Sequence, residues 1–417
     1  MMTGTLPARE WQARLDRYLS PEVRRRLAEV HHAAGRLGLK LYLVGGLVRD
    51  LWLQSAPGDL DLVVEGDAPR LARALARELG GTVTTHTPFG TATWLGADGL
   101  SLDLATARTE TYRKPAALPE VTPADITADL RRRDFAINAM ALRVADEIEL
   151  LDPFGGQADL AGRRVRVLHP FSFQHDPTRL FRAVRYEQRL NFTIVPDTLA
   201  LIPGAWAALA DLTGDRIRHE LELIFRERRA AATLARLDEL EILRHVHPAL
   251  RWGPAEVRAA EVIPALPAAW QLAVPPEPDA LYLALLLREA PPAEVDEVLA
   301  RLNFKGGVTE AVRAALALKQ TGARPSEVVA RLDALPELAV VAAYVAREPL
   351  RPRLHDYLAR WRFVRAETTG DDLVALGLAP GPRFKEILWE VRAARLEGQA
   401  ADIEGERAIV RRLLHGS

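Results

Sequence analysis

The chain has 417 residues, 55 Lys+Arg against 56 Asp+Glu, and no cysteine. That length allows about two to four domains. The balanced charge lacks the basic footprint usual for nucleic-acid-binding domains, and the missing cysteines exclude disulfide scaffolds and thiolate metal sites, so any metal must be held by oxygen or imidazole. No N-terminal stretch reads as a secretion signal and no uncharged apolar run reaches the roughly 18 residues of a membrane span, so the expected location is the cytoplasm.

Residues 7–37 read as an opening helical segment, with Ser20-Pro21 as cap and first helical residue. Strands are expected at 41–44, 60–64, 82–85, 91–95, 101–105, 141–144, 148–151 and 165–168, and helices at 47–53, 68–79 and 125–133. Beyond Pro170 strand alternation stops. The remainder is rich in Ala, Leu and Arg with helical periodicity, broken by prolines at 248, 264, 267, 275, 276, 291 and 292. The fold class is therefore α+β, a mixed-sheet head followed by all-helical regions, with joints expected at 264–280 and 347–352. The segment 109–125 carries three prolines and no clean period. A loop of that length inside a compact domain is usually functional or mobile.

The most informative stretch is YLVGGLVRDLWLQSAPGDLDLVVEG. Gly45 and Gly46 follow an apolar strand and open a helix, where backbone N–H groups can meet an anion. Asp59 and Asp61 are spaced by two along the next strand, so both carboxylates point to one face and can hold a hard cation such as Mg²⁺. A phosphate cradle beside a two-carboxylate metal site points to nucleotidyl transfer from a nucleoside triphosphate. Asp103, in SLDLATAR, is a candidate third carboxylate if its strand neighbours that of Asp61.

Two arginine-rich runs follow. In DLRRRDFAINAMAL, three consecutive arginines suit bidentate phosphate contact, and at most two of them can serve one ligand. Asn138 lies in an apolar run, and a buried amide must find partners such as a ribose or a backbone group. In FSFQHDPTRLFRAVRYEQRL, Asp176, Arg179, Arg182 and Arg185 recur every three residues. On a helix that makes a slow spiral stripe of about 13 Å, roughly the reach from a base to its triphosphate. Asp176 accepts and Arg179 donates, so the pair can read a base edge, while Arg182 and Arg185 can hold phosphates. A salt-bridged helix surface is the plainer reading of the same spacing.

These motifs, GGLVRD with DLD, DLATARTETYRKP, DLRRRDFAINAMAL, LLDPFGGQADL and HDPTRLFRAVRY, fall in order over roughly residues 38–225. Together they resemble the class II tRNA nucleotidyltransferase and bacterial poly(A) polymerase family. The run 370–388 resembles the tail element of CCA-adding members. The resemblance implies a nucleotidyltransferase-type head at 1–168, a helical neck at 169–265, a body at 266–350 and a tail at 351–417. It implies addition of CCA, or only CC or only A, to the tRNA 3′ end without a nucleic-acid template. Mg²⁺ would be the cofactor, CTP and ATP the substrates and the tRNA acceptor arm the partner, with no role for DNA or a membrane.

By position, Gly46 and Arg49 would contact the triphosphate, Asp59 and Asp61 the metal, and Arg132 or Arg133 the nucleotide. Asp176 and Arg179 would be the amino-acid template for the base, with Arg182 and Arg185 on sugar and phosphates. Arg108, Glu110 and Tyr112 resemble the start of the flexible loop tied to the switch from C to A addition. The family commonly has glutamate before the template aspartate, whereas this chain has His175. In the tail, Arg360-Trp361-Arg362 and Arg411-Arg412 are candidate RNA contacts, or solvated helix faces. Rival readings are a poly(A) polymerase, an inactive RNA-binding protein and a small-molecule nucleotidyltransferase.

Overall fold

The structure, a computed structural model, describes residues 6–58, 60–86, 89–111 and 120–415. The chain divides into two units, residues 1–216 and 217–417.

The first unit opens with α1 (Ala8–Tyr18) and α2 (Pro21–Arg36). The Ser20 hydroxyl accepts from the Val23 amide at 3.2 Å, which caps α2 as the Ser-Pro pair predicts. Next come β1 (Lys40–Val44), α3 (Gly46–Trp52), β2 (Asp61–Glu65) and α4 (Ala68–Leu79). The strands β3 (Thr82–His86), β4 (Thr91–Leu95) and β5 (Ser101–Thr106) follow. Then come β6 (Arg108–Thr111), β7 (Glu120–Pro123), α5 (Ile126–Arg131), β8 (Ala141–Val144) and β9 (Glu149–Leu151).

Seven strands form one sheet in the order β3-β4-β5-β2-β1-β8-β9. Every pairing in it is antiparallel except β2 with β5, which is parallel. A parallel pair needs a crossover, and α4 with the β3–β4 hairpin supplies it. Tyr42, Val44, Val63, Ala107, Ile126 and Leu130 form one buried cluster of this head. Glu65 ties α5 to the sheet, accepting from the Ile126 amide at 3.0 Å and the Tyr42 hydroxyl at 3.2 Å.

Two expectations are corrected. The segment 109–125 is not one loop: its described ends pair as the antiparallel strands β6 and β7, Arg108 opposite Pro123 and Thr111 opposite Glu120. The expected strand at 165–168 is shorter. It begins as β10 (Arg164–Val165), which pairs in parallel with β11 (Thr193–Ile194), and Val167 makes an isolated bridge to Phe135. Helix α6 (Gly156–Ala161) precedes β10, and α7 (Ser172–His175) and α8 (Thr178–Leu190) run between β10 and β11.

The described residues of the second unit form helices joined by turns and loops, with no strand among them. Its helices at Pro278–Leu286 and Glu337–Ala346 are apolar and buried on almost every side, as central helices must be. Near its end Leu373, Ile387, Val391 and Val410 close a smaller cluster. Arg362 donates to Glu337 and to the carbonyls of Trp270 and Gln271, and Arg360 pairs with Asp356 at 2.5 Å. Arg362 therefore ties distant segments of this unit together, while Arg360 stays on an exposed face. No described helix is long and apolar enough to cross a membrane.

Candidate active site

Gly45 ends β1 with φ +67° and ψ −128°, a backbone shape that side chains resist. A Cβ there would lie 2.7 Å from Arg133 Nη1 and 4.0 Å from Asp61 Oδ2. The turn, Arg133 and Asp61 thus converge on one spot. Helix α3 has only seven residues, so its dipole is short. An anion at this turn would be met mainly by N–H groups and arginines.

β2 and β5 lie side by side in the interior of the sheet, with Asp61 opposite Asp103 in the parallel register. Paired positions on neighbouring strands point their side chains to the same face. Both aspartates line a cavity of about 320 Å³, together with His86, Thr93, Arg132 and Arg133. Asp103 Oδ1 accepts from the Thr93 hydroxyl at 2.6 Å, which fixes its rotamer. Asp59 and Tyr112 lie outside the described residues. Among the described residues no group of three metal-ligating side chains stands together. The Asp61–Asp103 pair is an all-oxygen donor set, which suits a hard divalent cation.

The arginine run is organised by a residue that sequence reading missed. Asp129 is fully buried. Its Oδ1 accepts from Arg132 Nε at 3.0 Å and Nη2 at 2.8 Å, and its Oδ2 from Arg133 Nη2 at 3.1 Å. Asp129 also accepts from the Arg108 amide at 3.3 Å, and Glu110 bridges Arg132 at 2.9 Å and Arg108 at 3.4 Å. The signal was present as spacings of three and four from Asp129 to Arg132 and Arg133.

A second missed carboxylate, Asp134, is buried and accepts from Arg182 Nε at 2.9 Å, the Phe135 amide at 2.8 Å and Asn138 Nδ2 at 3.0 Å. Burial pushes its carboxyl upward, but the Arg182 charge and these hydrogen bonds outweigh that and hold it at about 2. Asn138 finds its partners within the protein: its Oδ1 accepts from Arg49 Nη1 at 2.8 Å. Arg49 is itself buried, donates to Asp50 at 2.8 Å and lies 5.1 Å from the Tyr186 ring centre. It therefore braces the glycine turn from beneath.

The members of the stripe find different partners within the protein. Asp176 precedes α8 and accepts from the Thr178 amide at 3.1 Å, the Thr178 hydroxyl at 2.6 Å and Arg216 at 2.7 Å. Arg179 is buried and donates to the carbonyls of Arg133 at 3.1 Å and Arg132 at 2.7 Å, and to the Ser172 hydroxyl at 2.7 Å. Arg185 is buried too, 5.7 Å from the Tyr186 ring, and the Arg182 guanidinium lies 5.8 Å from the same ring. Tyr186 thus gathers Arg49, Arg182 and Arg185, with Phe135 edge-on at 5.7 Å.

A glycine turn, carboxylates paired on adjacent strands and an arginine-lined cavity above them define a nucleotidyltransferase-type head. Residues 41–166 match the model of the poly A polymerase head domain, and residues 191–252 that of the probable RNA and SrmB-binding site of polymerase A. The chain is 34% identical over 404 residues to the CC-adding tRNA nucleotidyltransferase of Deinococcus radiodurans, covering 95% of each. It is 35% identical over 421 residues to the A-adding tRNA nucleotidyltransferase of Geobacter sulfurreducens, covering 96% of this chain. It spans only 48% of that relative's length. Thermotoga maritima CCA-adding enzyme complexed with tRNA superposes with a TM-score of 0.81 at 27% identity, covering 96% of this chain and 98% of that one. The chain belongs to the class II tRNA nucleotidyltransferase and bacterial poly(A) polymerase family.

Proposed function

We propose that the protein transfers nucleotidyl groups from ATP or CTP to the tRNA 3′ end without a nucleic-acid template. The observation that carries this reading is the register of Asp61 with Asp103 on the floor of the cavity that Arg132 and Arg133 also line, next to Gly45. The tRNA 3′ hydroxyl attacks the α-phosphorus in line, a new O–P bond forms, and pyrophosphate leaves. Asp61, Asp103 and, by its place in the sequence, Asp59 would hold Mg²⁺, which supplies charge neutralisation and a lowered hydroxyl pKa. Arg132 and Arg133, oriented by Asp129, take the charge on the triphosphate oxygens. The first amides of α3 take further phosphate oxygens at Gly46. Arg49 and Asn138 hold that turn in shape, and Asp134 with Arg182 fixes Asn138 in turn.

Base selection falls to Asp176 and Arg179, which exchange Arg216 and the loop carbonyls for the edge of the incoming base. Arg185, beside Tyr186, serves the sugar and phosphates. Glu110 and Arg108 couple the hairpin of β6 and β7 to the arginine run, and Tyr112 follows them in the sequence. The helical regions from 169 onward take the acceptor arm by shape and backbone contact, since side chains cannot read the deep groove of A-form RNA.

Among the three products we favour the terminal A. The Geobacter relative, which matches 96% of this chain, is named A-adding. The Deinococcus relative, at nearly equal identity, carries the CC reading. The test is incorporation of labelled CTP and ATP into tRNA ending at the discriminator base, at C and at CC. Label from ATP entering only the CC-ending tRNA is the expected result. CTP incorporation with no ATP incorporation selects the CC reading, and long products from ATP alone indicate a poly(A) polymerase. No incorporation into any primer removes the proposal.

A further inference from the structure

We propose that Phe171 and His175 form a stacking platform for a nucleobase beside Asp176 and Arg179. Phe171 is 55% exposed, unusual for a phenylalanine within a well-packed turn. The other exposed phenylalanines among the described residues, Phe89 and Phe363, each lie beside an arginine guanidinium, Arg108 at 5.9 Å and Arg362 at 4.7 Å. Phe171 is backed by an aromatic ring instead. Its plane is 22° from that of His175, with ring centres 6.0 Å apart. His175 in turn leans on His169 at 5.2 Å. Three rings in succession make a short ladder, its inner pair tilted by 47° and its outermost member open to solvent.

The ladder is uncharged near neutrality. Burial lowers the pKa of both imidazoles, Arg179 lowers both further, and His169 falls to about 4. A neutral imidazole can pack beneath Phe171 without repelling the adjacent guanidinium.

Its position is built into the nucleotide site. Ser172, next to Phe171 in the chain, accepts from Arg179, and Arg179 also donates to the Arg133 carbonyl. Arg133 reaches the Gly45 turn. Hydrogen bonds thus join the residue beside the ladder to Arg133, whose guanidinium packs against the Gly45 turn, and Asp176 directly follows His175. A single exposed ring is too small for a protein interface. It matches one base, because every base has a π-face and stacking needs no hydrogen-bond code. The base can belong to the incoming nucleotide or to the RNA 3′ end.

The inference rests on the nucleotidyl transfer proposed above. Its test uses the full-length protein, an acceptor-stem RNA carrying 2-aminopurine at its 3′ end, and steady-state transfer kinetics. Phe171→Ala, His175→Ala and Phe171→Trp are compared with wild type. If the RNA end stacks, wild type quenches 2-aminopurine, Phe171→Ala abolishes the quench and raises KM for RNA about five- to a hundredfold, and kcat is kept. If the incoming base stacks, KM for ATP or CTP rises by that factor and the quench is unaffected. His175→Ala moves the same constant by less, and Phe171→Trp restores it. Wild-type transfer together with an unchanged quench and unchanged KM values in Phe171→Ala overturns the platform alone. Wild type that transfers nothing overturns the function and the platform together.

Discussion

Replacing Asp134 by Asn keeps the shape of a buried side chain and removes its charge. In the native protein this carboxylate receives Arg182, the Phe135 amide and Asn138. An asparagine oxygen can still accept from Phe135 and Asn138, but its NH₂ must then face the donors of Arg182, and donor meets donor. The carboxyl is displaced from 3.8 to about 2, which corresponds to about 2.5 kcal/mol of native-state preference for the charged form. Since the Arg182 side chain is 32% exposed, water takes up part of its loss. The expected destabilisation at pH 7 is therefore about 2 kcal/mol, or roughly 4–8 °C in the transition of the first unit. The sign with pH follows from a pKa depressed on folding. The stabilisation is fully present above about 4 and fades as pH falls through the folded value near 2. Urea melts of wild type and Asp134→Asn between pH 7 and pH 2 measure it. The gap should stay constant down to about pH 4 and then close. Equal stability at neutral pH, or a gap indifferent to acid, would refute this account of the Asp134–Arg182 pair.

Other consequences are equally direct. Asp61→Asn or Asp103→Asn should lower transfer at least about a hundredfold, with melting temperature nearly unchanged because both residues are exposed; an active double variant would remove these residues from the chemistry. Gly45→Ala must force a side chain into a left-handed backbone and against Arg133, so we expect a loss of about 1–2 kcal/mol and a raised KM for nucleotide, read by thermal melts and kinetics. Arg179→Ala, which frees the carbonyls of Arg132 and Arg133, should cost about 2–4 kcal/mol and blur discrimination between ATP and CTP in competition assays. His169→Gln should reduce acid sensitivity between about pH 6.5 and 4: the neutral imidazole contributes stability above 6.5 that is lost as pH falls toward its folded value near 4, which pH-dependent melts resolve.

Local signals read well from this sequence where one element decides the outcome. Helix α4 falls on the expected residues because Asp67 caps it, accepting from the Arg70 amide at 2.8 Å, and apolar positions recur along it. The Gly45 turn and the strand position of Asp103 were equally legible. The hairpin of β6 and β7 was not, because four-residue strands flanked by prolines carry too little alternation to register. The arginine stripe was found by its spacing but not by its partners. Each step of three turns the helix by about 60°, so successive members meet different neighbours. Which carboxylate or carbonyl each arginine finds is settled only when α8 is set against the loop at Arg132 and Arg133. Asp129 and Asp134 were overlooked for the same reason, since a buried acid looks in sequence like any other charge in a basic run.

The lone parallel pairing of β2 with β5 carries a consequence for how the protein comes to life. Asp61 and Asp103 are far apart along the chain, and nothing local draws them together; α4 and the β3–β4 hairpin lie between them in sequence. Contacts between distant segments form slowly, because a long loop must be ordered before they return any stabilisation. A half-made head emerging during synthesis therefore has its glycine turn before its acidic pair is assembled, and the arginines at 132 and 133 join last, because they follow both aspartates in the chain.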